Sequence, residues 1–398
     1  MSETSNPSAR PPARGNTPSR LARPARHFHR LAWLAVALAL GVIVFGAFVR
    51  LSDAGLSCPD WPTCYGQAAW PTEVGEVGDH AAVAIRPVDT SKAWREQLHR
   101  MIAGALGVLV LSLALLAARK RRHGIATVLV ASALVAIGIP LYMQGQHLAA
   151  SLVAVAAEAG LLFAAWRWSN TDLARVATLT LAVIIFQALL GMWTVTWLLK
   201  PVVVMGHLLG GLLTFSLLAW MAWRATDLPI RLAEARGVRR MLVVGLSLLG
   251  IQIALGGWTS ANYAALACAT DFPQCVGQWW PPTDFAEGFV LWRGIGADYE
   301  GGVLGGAARI AIQMAHRIMA LVVFVYLLGL AVKLLRTPGM RGWASLLGLL
   351  TLAQVGLGIA NVKLALPLWT AVGHNAGATL LLFVLVSLLA RLRAPEAE

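Results

Sequence analysis

"FQALLGMWTVTWLLKPVVVMGHLLGG" (residues 186–211) and "AQVGLGIANVKLALPLWTAVGHNAGA" (residues 353–378) decide the architecture between them. Gln187, Gly191, Gly206 and His207 each stand 167 positions before Gln354, Gly358, Gly373 and His374. Four markers in one order at one offset are the signature of an internal repeat. The repeat extends upstream. "GAFVRLSDAGLSC", ending at Cys58, matches "GGWTSANYAALAC", ending at Cys268, and "LHR" at 98–100 matches "AHR" at 315–317. Two copies of one unit therefore run in the same orientation, as parallel repeats with an even number of spans must.

The unit is made for a bilayer. Of the 398 residues, 58% are hydrophobic and 13% charged, and the mean hydropathy is +0.67. Apolar runs of roughly 20 residues, the length that spans hydrocarbon, begin near Leu31, Leu98, Gly124, His147, Leu173, Val202, Met241, Ile310, Trp343 and Leu368. The expected fold is an all-α polytopic integral membrane protein: two parallel four-helix repeats with a helical hairpin inserted in the first, about ten transmembrane helices in all. The insertion shows in the spacing. His99 and His207 are 108 positions apart, against 58 for His316 and His374, and the surplus fits two helices over 124–168. Their His147 and Glu158 have no counterpart in the second half and read as accessory, although an intramembrane acid is by default a candidate site.

Charge sets the orientation. The net charge of +13 is distributed between apolar runs, at 119–123, 223–240 and 333–341 and in the N-terminal tail, and not along one amphipathic surface. That pattern excludes nucleic-acid binding and follows the positive-inside rule. The expected organisation is a disordered, basic cytoplasmic tail over 1–30, an N-terminal helical half over 31–223 containing the hairpin, a cytoplasmic linker over 224–240, a C-terminal half over 241–393 and a cytoplasmic tail over 394–398. The first span is long enough to stay in the bilayer, and no convincing cleavage site follows it. Segments 51–95 and 261–308 then lie outside, in a bacterial inner membrane with both termini cytoplasmic.

All four cysteines fall in those outer segments, Cys58 and Cys64 in "SCPDWPTC" and Cys268 and Cys275 in "ACATDFPQC". An oxidising compartment favours a short-loop disulfide within each pair. A zinc site and a redox-active thiol pair remain alternatives, although neither pair has the close spacing of structural zinc sites.

The repeat also selects His99, His207, His316 and His374 from nine histidines. Each lies near the outer end of its helix, so two helices in each half present one imidazole apiece at a similar depth. Imidazole in a lipid-embedded helix is costly unless coordinated or hydrogen-bonded. Zinc or copper would require further ligands, whereas heme iron needs two. Ala103, Gly210, Gly211, Ala320 and Gly377 follow the histidines at i+3 or i+4 and leave room for a flat macrocycle, although helix packing through small residues would use them equally. Arg100 and Arg317 could meet heme propionates or snorkel to headgroups.

In this order across nearly the whole membrane region, "GAFVRLSDAGLSCPDWPTCYG", "EQLHR", "LLGMWTVT", "GHLLGG", "AHR" and "GHNAG" resemble the heme A synthase family. The resemblance implies oxidation of the C8 methyl of heme O to the formyl of heme A, which cytochrome c oxidase requires. It implies heme b as cofactor on His316 and His374, the substrate heme on His99 and His207, and a functional glutamate at Glu96. The pair Cys58 and Cys64 matches the family's first-loop cysteines, for which a part in the reaction has been proposed. Heme O is the implied substrate, membrane lipid the surroundings, and heme O synthase, oxidase assembly factors and a second copy of the chain are candidate partners. The hairpin departs from the family's eight helices. Glu96 corresponds to Gln313, each three residues before its histidine. A need for polarity is met by either residue, a need for charge or proton transfer only by the acid. That asymmetry points to a reactive first site. The competing reading is a diheme b-type, quinol-linked electron-transfer protein.

Overall fold

A computed structural model describes residues 27–169 and 172–394. Ten long helices carry the chain: α1 (Phe28–Leu51), α2 (Thr90–Ala118), α3 (Gly124–Met143), α4 (His147–Arg167), α5 (Ala174–Thr196), α6 (Pro201–Thr226), α7 (Ala235–Ala261), α9 (Gly306–Leu335), α10 (Arg341–Lys363) and α11 (Leu368–Arg391), with a single-turn α8 (Phe285–Gly288) in the second long loop. All ten are long and apolar enough to cross a membrane, and the protein is an all-α polytopic membrane protein. Its only described strands, Ile230–Arg231 (β1) and Leu392–Arg393 (β2), pair in parallel and tie the linker to the end of α11. The helices start close to the apolar runs, with one systematic difference. α2 begins at Thr90 and α7 at Ala235, several residues before the hydropathy rise, because polar turns, capped by a side chain in α2, extend these helices beyond their apolar stretch. Asp89 caps α2 by accepting from Ser91 N at 3.1 Å, the usual role of an aspartate at that position. Residues 1–26 of the expected N-terminal tail and residues 395–398 of the C-terminal one lie outside the described residues.

Packing sorts the helices into two sets of four. α1, α2, α5 and α6 pack around one another, as do α7, α9, α10 and α11, and α1, α6, α7 and α11 form the contact between the sets. Leu218, Met221, Leu242 and Leu385 are fully buried along that contact. The α3–α4 hairpin leans on α2 and α5, while Leu148 and Leu152 of α4 are more than half exposed, as a lipid-facing surface requires.

The two sets share backbone detail. Leu198 and Leu199 between α5 and α6 have φ of 48° and 59°, and Ala365 and Leu366 between α10 and α11 have φ of 57° and 62°. Left-handed non-glycine residues are uncommon, and here a proline follows each turn, at Pro201 and Pro367. It presets the backbone for the next helix. Both long loops contain a disulfide, Cys58–Cys64 and Cys268–Cys275, each followed by an antiparallel bridge, Cys64 with Gln67 and Cys275 with Gln278. The loops also meet across the halves. Arg86 pairs with Asp298 at 3.1 Å and Glu300 at 2.7 Å, Tyr299 N donates to Leu198 O, and Lys200 Nζ sits 3.4 Å from the Trp292 ring centroid.

Candidate functional site

A cavity of about 2270 Å³ reaches from one half to the other and is lined by His99, His207, His316 and His374. The repeat places them alike. His99 and His316 lie on α2 and α9, about two to three turns from the end that carries the cysteine loops, and His207 and His374 lie near the starts of α6 and α11. The imidazoles of each pair are within each other's electrostatic reach.

Glycine lets each ring lie against a neighbouring helix. A Cβ at Gly46 on α1 would stand 2.7 Å from His99 Cε1; at Gly191 on α5 it would be 3.0 Å from His207, at Gly256 on α7 3.1 Å from His316, and at Gly358 on α10 3.1 Å from His374. At Gly46 a Cβ would displace the ring outright, and at the other three the ring would have to give by a few tenths of an ångström, so each imidazole lies close against the glycine backbone. Behind three of the rings stands a glutamine: Gln187 for His207, Gln252 for His316 and Gln354 for His374. This corrects one expectation. Gly210 and Gly377 do not hold space open for a macrocycle; a Cβ there would collide with Oε1 of Gln187 and of Gln354. Ala103, Gly211 and Ala320 do line the cavity.

Arg100 and Arg317, which line the cavity, also hold the loops above it. Arg100 donates to the carbonyls of Asp60 (2.8 Å), Thr63 (2.7 Å) and Cys58 (2.7 Å), and Arg317 to those of Asp271 and Gln274, both at 2.9 Å. Each guanidinium thus clamps its half's disulfide loop onto the histidine helix. Asp60 braces the first loop from inside, accepting from Thr63 Oγ1, Tyr65 N and Gly66 N at 2.5 to 2.8 Å. Burial raises its carboxyl pKa, and these hydrogen bonds outweigh burial and hold it below the ordinary value. Burial, with the charges of Asp60 and Glu96, pushes Tyr65 up to about 12.

Glu96 is buried, at 4% exposure, and lines the cavity. Its Oε2 accepts from Cys58 N at 2.9 Å and Ser57 Oγ at 3.2 Å, and its Oε1 pairs with Arg100. Gln313 is equally buried on α9, and its Oε1 has no partner. Only the first half thus places a fixed carboxylate beside the histidines. All four cysteines are disulfide-bonded, which removes them as zinc ligands and as free thiols in this state. The hairpin is less peripheral than its lack of a counterpart suggests: Tyr142, His147, Ser151 and Glu158 line the same cavity, and Tyr142 meets Trp61 of the first loop edge-on at 6.1 Å.

The residues fit heme. Each half offers two imidazoles from two helices with a glycine behind each. The buried Nδ1 atoms of His99 and His374 lack partners, as do the Oε1 atoms of the three glutamines. Two nitrogen ligands per site are what heme iron takes, and fewer than zinc or copper take from a protein.

Fold and site define a polytopic membrane protein built from two helical repeats, each presenting a histidine pair to a shared cavity. The COX15-CtaA family model, described as cytochrome oxidase assembly protein, matches residues 29–146 and 147–386. The chain belongs to this family. A heme A synthase of Shewanella oneidensis is 37% identical over 90% of this chain and 96% of its own length. Heme A synthases of Rhizorhabdus wittichii and Beijerinckia indica are 25% and 26% identical over 95% and 89% of this chain, and 95% and 90% of their own lengths.

In the sequence Gln187, Gly191, Gln354 and Gly358 are visible as repeat markers, and nothing in their own helices marks them as imidazole partners. Gln252 and Gly256 carry the same four-residue spacing, which is the signal that could have found them.

Proposed function

We infer that this protein is a heme A synthase, oxidising the C8 methyl of heme O to a formyl group to supply heme A for cytochrome c oxidase. The observation that carries the reading is the asymmetry of two otherwise matching sites: a carboxylate beside the histidines in one, an amide in the other. Turning a methyl into a formyl removes hydrogens from carbon and requires protons to be moved at the ring edge. A positioned carboxylate contributes as general base or by stabilising developing positive charge.

His99 and His207 are assigned to the substrate heme, with Glu96 as the catalytic group beside it. Three interactions hold Glu96 in one orientation, from Cys58 N, Ser57 Oγ and Arg100, so it meets the substrate without reorganising. His316 and His374 are assigned to a resident heme b, which when bound supplies electron transfer. The disulfide loops, clamped by Arg100 and Arg317, close the cavity at one end. That end faces outward in a bacterial inner membrane, because Arg119, Arg121, Arg122, Arg236, Arg239, Arg240, Lys333, Arg336 and Arg341 gather at the opposite, cytoplasmic end. Heme O synthase and oxidase assembly factors are the fitting partners for receiving one heme and passing on the other.

Extraction and chromatography of the hemes in the purified protein test the function. Heme b together with heme O, a hydroxylated form or heme A is expected. Heme b alone from both sites would make the protein a diheme electron carrier.

A further inference from the structure

The polar groups behind the histidines are not the same in all four places. Gln187 Nε2 lies 3.0 Å from His207 Nδ1 and 2.6 Å from the His207 carbonyl. Gln252 Nε2 lies 3.1 Å from His316 Nδ1, 3.5 Å from its Nε2 and 3.2 Å from its carbonyl, and Gln354 Nε2 donates to the His374 carbonyl at 2.9 Å. Each glutamine stands four residues before the glycine that faces the ring, so amide and glycine share a helix face. The same spacing before Gly46 gives Val42. Val42 lines the cavity, and the buried Nδ1 of His99 has no hydrogen-bond partner. His374 Nδ1 is also unpaired, but Gln354 stands behind it, held on the backbone carbonyl of the same residue.

We propose that the three glutamines are positioning residues for the heme ligands, and that Val42 leaves His99 as the exchangeable ligand through which the N-terminal site releases its heme. An imidazole holding iron through Nε2 carries its proton on Nδ1. A fixed acceptor for that proton sets the ring orientation and raises ligand basicity. The glutamines can supply one when the carboxamide turns: Oε1 of Gln187, Gln252 and Gln354 is buried without a partner, and turning exchanges the Nε2 bond to the histidine carbonyl for an Oε1 bond from Nδ1–H. A valine cannot. Both ligands of the C-terminal site are backed by an amide, as a heme that stays requires. In the N-terminal site only His207 is backed, as suits a heme that must leave after each reaction. The proposal rests on the assignment of substrate heme to the N-terminal pair.

The full-length, heme-loaded protein in detergent, mixed with excess apomyoglobin as heme scavenger, gives the test. Two release phases are expected, the faster from the N-terminal site. Val42→Gln slows the fast phase by about tenfold or more, the scale on which outer-shell partners act on metal sites, and lowers the midpoint potential of that heme, because a more basic ligand favours ferric iron. Val42→Leu, which adds bulk without an acceptor, does neither. Gln252→Leu speeds the slow phase by a similar factor, and Gln252→Glu, which keeps an acceptor, restores it. Rates within about twofold of wild type in both Val42→Gln and Gln252→Leu, with unchanged potentials, overturn the proposal. Should Val42→Gln fail to fold, Gln252→Leu and its rescue decide the matter at the C-terminal site. Chromatography of the released hemes keeps the two readings apart: heme b in both phases sinks the synthase, whereas rates insensitive to the glutamines sink the tether.

Discussion

The N-terminal site sets Glu96 and Val42 around its histidines where the C-terminal site sets Gln313 and Gln252. Almost everything else agrees: the glycine against each ring, the arginine clamp, the disulfide loop and the left-handed turn before the second histidine helix. A shared backbone therefore supplies two matching sites, and under the proposed function a few side chains make one of them a place for chemistry and the other the seat of a resident heme. In the roles proposed above, the acid adds reactivity and the missing amide loosens one ligand.

The comparison breaks most visibly at His374. Replacing it by Leu removes one ligand from the C-terminal pair only, and we expect complete loss of the low-spin heme b spectrum with the N-terminal heme retained. Reduced-minus-oxidised absorbance measures this, and an unchanged spectrum in a folded variant rules out the ligand assignment.

Glu96→Gln makes the first site imitate Gln313. Heme A formation should fall by at least about 100-fold, the lower range for a general acid–base residue, with heme still bound and heme O or its hydroxylated form accumulating. Arg100 keeps its three carbonyl acceptors in this variant, so the loop stays seated. Heme A yields at the wild-type level would end the case for Glu96 as catalyst.

Glycine sharpens the comparison on a smaller scale. A methyl at Gly46 would lie 2.7 Å from His99, against 3.1 Å between Gly256 and His316. Gly46→Ala must push the ring aside, at a cost of about 1 to 3 kcal/mol for overpacking a close contact, while Gly256→Ala requires the neighbour to yield only slightly. Heme-to-protein ratios of the two variants should show the greater loss in Gly46→Ala; equal losses would mean the rings do not depend on this contact.

Sequence patterns carried the helices, the repeat and the four histidines because each depends on spacing along the chain. Apolar runs report spans, and a shared offset reports equivalence. What surrounds the histidines depends on how each helix is rotated against its neighbour, which spacing within one helix does not encode. Gly210 shows the difference: three residues after His207 it shares the histidine's face, yet the space it leaves is taken by Gln187 from α5. Arg100 likewise follows a histidine at the cavity's edge but turns to the carbonyls of a loop some forty residues upstream. Only the fold brings that loop back over the helix.

The α3–α4 hairpin carries a last consequence, for how such a chain can diversify. One extra crossing after α2 would have sent every later helix through the membrane in reverse, and moved Cys268, Cys275 and the C-terminal histidines to the other compartment. Two crossings cancel. A gene can thus acquire Tyr142, His147 and Glu158 as a new wall for one pocket in a single insertion, while the inherited half downstream stays facing the same way with its contents intact.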